Sequence, residues 1–191
     1  KRDWSSDVCS SDLKQAIAKW PNVPSVYGWL RLDRRGHWLI KNERIGNALV
    51  ADFIGRNYEH DAQGRWFFQN GPQRVFISLD YTPFIYRLPW HERAAAPRIE
   101  THTQRAVERV RGAWIDEAGV VLIESEHGVG LVDDRDLERL VAAFTDDEGR
   151  ALDEDRVAAA IESLQAGAAA GLAFAFRGTR INVEPIASTS V

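Results

Sequence analysis

Two groups of side chains in this 191-residue sequence have types and spacings that could do chemistry. The first is five histidines, His37, His60, His91, His102 and His127. None stands in the i, i+4 helical pair or the short paired spacing of a dedicated metal site, and the single Cys, Cys9, cannot complete a ligand set. His60-Asp61 and His91-Glu92 set imidazole beside carboxylate, but neighbours in sequence point apart on a strand, and no nucleophile accompanies them. The acids Asp133, Asp134, Asp136 and Glu138 stand where a helix should begin, so their charge is expected to offset the positive end of its dipole. "DDEGRALDED" lacks the alternating acids and final Glu of a calcium loop, the "GVG" after His127 is too short for a phosphate loop, and no Gly-x-Ser-x-Gly elbow is present. The expectation is no catalytic residue, no metal and no cofactor, which leans against an enzyme.

The second group is "RWFFQNGPQRVF", with Trp29 and Trp38 upstream. Arg65, Trp66, Phe68, Arg74 and Phe76 fall on paired strands, so cations and rings alternate on a sheet. Such a surface suits a protein partner, and single-stranded nucleic acid is the alternative, because phosphates meet Arg and bases stack on rings. Aromatics also simply fill cores, with polar positions alternating outward. Trp29, Trp38, Arg65, Trp66, Phe68 and Arg74 are therefore the candidate partner-binding residues of a non-enzymatic binding or protein-interaction module, with nucleic acid second and an unrecognised enzyme third.

The elements that must position them read as α+β, mostly antiparallel β-hairpins with about three amphipathic helices. "SVYGWLRL" alternates, with Tyr27, Trp29 and Arg31 on one face and Val26, Leu30 and Leu32 on the other. Asp33 and Gly36 suit the first and fourth positions of a tight turn into "HWLIK". "LKQAIAKWP" predicts a short helix ended by Pro21. "ERIGNALVADFIGRNY" predicts another, with Ile45, Leu49, Phe53 and Ile54 on one stripe and Asn42 as cap. Asn70-Gly71-Pro72 marks a turn, and Pro83 and Pro89 place "YTPFIYRL" at a sheet edge. Later, "DDRDLERLVAAF" and "DEDRVAAAIESLQAG" read as helices, the second capped by Asp153 and stopped at Gly167, before a hairpin across Gly178.

"LDRRGHWLI" and "IDEAGVVLI" share the pattern apolar-Asp-x-x-Gly-x-x-Leu-Ile; each precedes a helical segment and then an Asp-x-x-Gly-Arg, at Asp61 to Arg65 and Asp146 to Arg150. Two similar hairpin–helix–strand units would explain this. A commonplace turn motif explains it more simply, since Asp52 to Gly55 repeats the pattern inside a helical segment.

Formal net charge is −4, but the halves differ. Residues 14–90 carry eleven Lys and Arg against six acids, and residues 91–191 eleven Arg against nineteen acids. The division is a basic, aromatic-rich half over residues 14–90, a linker over 91–104 with "PWHERAAAPRIETHTQ" breaking any periodicity, and an acidic half over 105–191. No apolar run approaches the roughly 20 residues that cross a bilayer, so a cytoplasmic protein without membrane partners is expected.

From "AIAKWPNVPSVYGWLRLDRRGHW" through "GRWFFQNGPQRVF", the most specific part, to "DDRDL", the chain resembles a family of uncharacterised, mainly β-proteobacterial proteins known only as a domain of unknown function. The resemblance spans residues 14–187. It implies a bacterial cytoplasmic protein and carries over no catalytic residue. The opening "KRDWSSDVCSSDL" is different in kind: residues 6–13 back-translate in one frame to a stretch resembling the end of a sequencing adapter. Residues 1–13 are accordingly set aside as adapter read-through, with the native start lost and no packing expected before Leu13.

Overall fold

The computed structural model describes residues 24–89 and 98–191. The adapter-like stretch and the helix expected at "LKQAIAKWP" lie outside the described residues. Two compact units emerge: residues 24–33 with 37–80, and residues 34–36 with 81–89 and 98–191. This division falls at Asp80/Tyr81, ahead of the change in composition near Trp90.

The first unit runs β1 (Ser25–Leu32), β2 (Trp38–Ile40), β3 (Glu43–Arg44), α1 (Ala48–Arg56), β4 (Tyr58–His60), β5 (Trp66–Asn70) and β6 (Gln73–Leu79), in a sheet ordered β3-β2-β1-β6-β5-β4. Neighbours are antiparallel except β1 and β6, which run parallel. Helix α1 starts later than the apolar stripe predicts. Lys41 and Asn42 adopt φ of 49° and 70° in the β2–β3 turn, and Asn47 is the cap, accepting from the Leu49 and Val50 amides. Ile45 therefore precedes the helix, and Leu49 ends 55% exposed while Ile54 is buried.

The second unit runs β7 (Phe84–Arg87), β8 (Glu100–Thr101), β9 (Val110–Ile115), β10 (Val121–Ser125), β11 (Gly128–Val132), a 3-10 turn (Asp134–Asp136), α2 (Leu137–Val141), β12 (Phe144–Thr145), α3 (Glu154–Gln165), β13 (Ala173–Phe176) and β14 (Thr179–Pro185). Its sheet order is β12-β13-β14-β9-β10-β11-β7-β8. Helix α3 follows the sequence closely: Asp153 caps it, Val157 and Leu164 are buried, and Gly167 follows its end at φ 81°. "YTPFIYRL" does not form an edge. β7 lies between β11 and β8 with Phe84, Ile85 and Tyr86 buried, because Pro83 and Pro89 fall just outside the strand and leave its ladder intact.

The expected antiparallel hairpins thus become two mixed sheets, with three helices and fourteen strands among the described residues. The parallel pairs are β1 with β6, β9 with β14 and β11 with β7. In each unit, two three-stranded stretches lie side by side, and joining the first strand of one to the last of the other makes that pair parallel. Strands β9 to β14 repeat the order of β1 to β6, with the parallel pair in the same place.

The turns repeat as well. At Asp33, Asp61, Asp116 and Asp146 the Asp amide donates to the carbonyl four residues on, and that residue's amide donates back to the Asp Oδ1. The fourth residue is a glycine at φ between 76° and 80°, a conformation that a Cβ disfavours. No helix among the described residues is long and apolar enough to cross a membrane.

Candidate functional site

The β1–β6 sheet divides the candidate residues between its faces. Val26, Val75, Phe68 and Tyr58 are cross-strand neighbours on one face, all buried. Helix α1 covers it, with Phe53 edge-on to Phe68 at 5.4 Å. Trp38 meets Tyr58 edge-on at 5.2 Å, and Trp66 lies against Tyr58 at 4.6 Å. Trp38 and Phe68 are 4% and 2% exposed, so they are core rather than contact surface. Burial pushes the Tyr58 phenol well above its ordinary value. Trp66 is half-buried with the His60 ring beside it, and Trp29 is half-buried beneath the Lys41 ammonium at 4.1 Å.

Arg65 and Arg74 stand on the opposite face. Phe67 and Phe76 are paired across β5 and β6 there; the Arg74 guanidinium lies 4.7 Å over the Phe67 ring and that of Arg65 4.9 Å from Phe76. Tyr27 completes the group, stacked on Phe76 at 4.5 Å with an interplanar angle of 1°. A bulge puts it there. Between Val26 and Leu30 the register shifts so that Tyr27–Trp29 stand opposite the single Phe76, with Gly28 at φ 70°. Tyr27 is 58% exposed and was absent from the candidate residues. Its alternation with Arg31 was a usable signal; the bulge was not readable locally.

Arg65 is shared with Asp61, its Nε 2.7 Å and Nη2 2.6 Å from Oδ2, which holds the Asp61 carboxyl below the usual carboxylate range. The Arg74 side chain makes no hydrogen bond or ion pair among the described residues, only its contact with the Phe67 ring. The described part of this unit carries six Lys and Arg against six Asp and Glu. Of the other cations of residues 14–90, Arg34, Arg35 and Arg87 belong to the second unit, and Lys14 and Lys19 lie outside the described residues.

Several of the remaining polar groups are committed to structure. Among the described residues, no three metal-binding side chains gather. His37 Nδ1 lies 2.9 Å from its own turn's Asp33, and His127 Nε2 2.9 Å from the Ala106 carbonyl. The buried Tyr86 hydroxyl bonds Ser125 and donates to the Gly128 carbonyl, and burial pushes the phenol up to about 12.

The acidic cluster does more than face a helix dipole. Asp136 makes no capping bond to α2. Its Oδ2 accepts from Arg87 Nε at 2.8 Å and the Leu88 amide at 3.0 Å, while Oδ1 accepts from Arg139 at 3.0 Å. Asp133 accepts from Arg135 at 2.8 and 2.6 Å and lies 3.6 Å from Arg87. Burial alone would raise the Asp133 carboxyl, but the Arg135 hydrogen bonds and the Arg87 charge outweigh it and lower the value to about 2.

Since the ordinary value is 3.8, the unfolded chain binds more protons than the folded one between these limits. The stabilisation is complete above about pH 4 and fades as pH falls through about 2, with a span of roughly 2 kcal/mol after solvent screening. Urea midpoints measured from pH 6 down to pH 2 are expected to fall over that window, and Asp133→Asn is expected to flatten the fall. An unchanged slope in the variant would assign it to other carboxylates.

Comparison with known proteins adds fold and family. No curated protein matches the chain. Among solved structures, a DUF1285 family protein from Silicibacter pomeroyi DSS-3 has the same fold at a TM-score of 0.56 and 14% identity, covering 91% of this chain and 94% of that one. A DUF1285 family protein from Shewanella baltica OS155 aligns at a TM-score of 0.45 and 13% identity, over 59% of this chain and 90% of its own. A family model matches residues 10–188, beginning inside the stretch set aside as adapter-like, and the chain belongs to that family, DUF2944, described as "Protein of unknown function (DUF2946)".

Proposed function

We propose that the protein is a non-enzymatic binding module that docks an acidic segment of a partner protein on the sheet face opposite α1. The observation that carries this is the exposed Tyr27, stacked on Phe76 and flanked by Arg65 and Arg74. Exposed Tyr and ring-stacked Arg are the side chains that dominate binding energy at protein interfaces. Arg65 already forks onto Asp61, while the Arg74 guanidinium, 4.7 Å over the Phe67 ring with no carboxylate on it among the described residues, can fork onto a partner's carboxylate. The matching partner segment places Asp or Glu beside an apolar or aromatic side chain that covers Tyr27. Balanced charge over the described residues of this unit disfavours nucleic acid, which needs a clear cationic excess.

Selection from a random-peptide phage library tests this. Enriched peptides are expected to pair acids with aromatics, and Tyr27→Ala or Arg74→Ala should weaken the best peptide at least about tenfold, the threshold of a hot-spot contact. Peptides that bind both variants as tightly as the parent would remove the face from consideration. Titration with a dT20 oligonucleotide at two salt concentrations covers the alternative: salt-steep binding lost in the same variants would assign the face to single-stranded nucleic acid.

A further inference from the structure

The second unit holds a cleft of about 320 Å³ whose chemistry points to a small ligand. Its walls are Gly119, Val120, Val121, Leu131, Val132 and Leu137, from the β9–β10 turn, β10, β11 and α2. Its polar rim is Arg34, Arg35 and Asp134. Volume of this size, mostly apolar with a few convergent polar groups, is what small-molecule sites show. At about 30 Å³ per water-sized group, it has room for on the order of ten heavy atoms.

The two arginines are held differently. Arg34 lies on the Tyr81 ring, 4.8 Å from its centroid, and Tyr81 is itself fixed by a 2.7 Å hydrogen bond from its hydroxyl to the buried Asp116. Among the described residues Arg34 has no carboxylate partner. Arg35 donates to Asp134 at 2.9 Å in a pair whose side chains are more than half exposed. Pairs of that kind contribute little, so a second carboxylate can displace Asp134 at small cost. The segment bearing both arginines is tied down at Gly36, where a Cβ would stand 2.7 Å from that of His102.

We infer that this cleft binds a small amphipathic monocarboxylate, its apolar body on Val120, Val121, Leu131 and Leu137 and its carboxylate between Arg34 and Arg35. Asp134 is then a competitor built into the rim. The site uses only residues of the second unit and stands or falls separately from the docking face on the first.

Amide chemical-shift titrations of the full chain with sodium octanoate, 1-hexanol and inorganic phosphate test it. Octanoate should give saturable shifts at Val120, Val121, Leu131 and Val132; hexanol and phosphate, each carrying half of the chemistry, should bind at least about tenfold more weakly. The double variant Arg34→Ala/Arg35→Ala should lose about tenfold or more in octanoate affinity, the scale of one charge-assisted contact. Asp134→Asn should gain affinity, a sign that general stickiness would not produce. All three residues are exposed, and each variant's spectrum reports its folding directly. No saturable shift at the cleft, equal binding of hexanol, or octanoate affinity that ignores both variants would each overturn the inference.

Discussion

Asp136→Ala is expected to lower stability by about 3 kcal/mol, because breaking a buried ion pair leaves the surviving charges and donors without compensation. Three donors lose an acceptor at once: the buried Leu88 amide, Arg87 Nε, which is left with Asp133 at 3.6 Å, and Arg139 Nη1, which keeps the Leu88 carbonyl at 2.7 Å. The carboxylate is almost wholly removed from water, but Arg87 and Arg139 are partly exposed and can turn to solvent, which keeps the loss near the lower end of the range for buried pairs. In a chain of this size the change corresponds to a fall of roughly 6–12 °C in Tm, readable by circular dichroism. Asp136→Asn keeps an acceptor for the Leu88 amide and should fall between. Asp134→Ala, two residues away but exposed, should move Tm by less than about 2 °C. Equal effects of Asp134→Ala and Asp136→Ala would show that burial of the pair is not what matters.

The sequence around Asp136 displays acids near a helix start, and dipole compensation is the physics legible at that range. Its true partner, Arg87, is 49 residues earlier, on a strand whose neighbours only the folded chain brings together. The same boundary runs through the whole molecule. Local rules recovered the four Asp-x-x-Gly turns, α3 with its Asp153 cap, and the two-residue hairpin turn at Arg177-Gly178, because each is closed by bonds within a few residues. The parallel pairs could not be read, since β1 meets β6 across more than forty residues and nothing in either strand's alternation names its partner. The candidate face shows the limit most clearly. Alternation along β5 and β6 separates Arg65 and Arg74 from Phe68 and Trp66, yet the bulge that lays Tyr27 on Phe76 depends on pairing between distant strands.

Gly130→Ala is expected to be the other severe substitution, and it explains a motif that resembled a shortened phosphate loop. In "HGVG" (His127–Gly130), Gly128 stands at φ 128°, which favours glycine, and its carbonyl accepts a part-buried hydrogen bond from the Tyr86 hydroxyl at 2.7 Å. Gly130 lies in β11 with Ile123 of β10 on one side and Phe84 of β7 on the other. A Cβ there would stand 2.6 Å from the Phe84 carbonyl oxygen and 2.7 Å from Cε2 of Tyr86. Neither neighbour can yield cheaply: one is backbone within the sheet, and the other is a ring held by two hydrogen bonds. Relief requires β11 and β7 to move apart, at a cost of about 3 kcal/mol, the upper end for overpacking. Gly112→Ala is the control. Its Cβ would also meet an atom too closely, but that atom is the far edge of the half-buried Trp114 ring, which can turn aside. A Tm loss for Gly130→Ala several times that of Gly112→Ala is the expected result. Comparable small losses in both would mean that the parallel join between β7 and β11 tolerates a methyl group, and that the glycine is there for another reason.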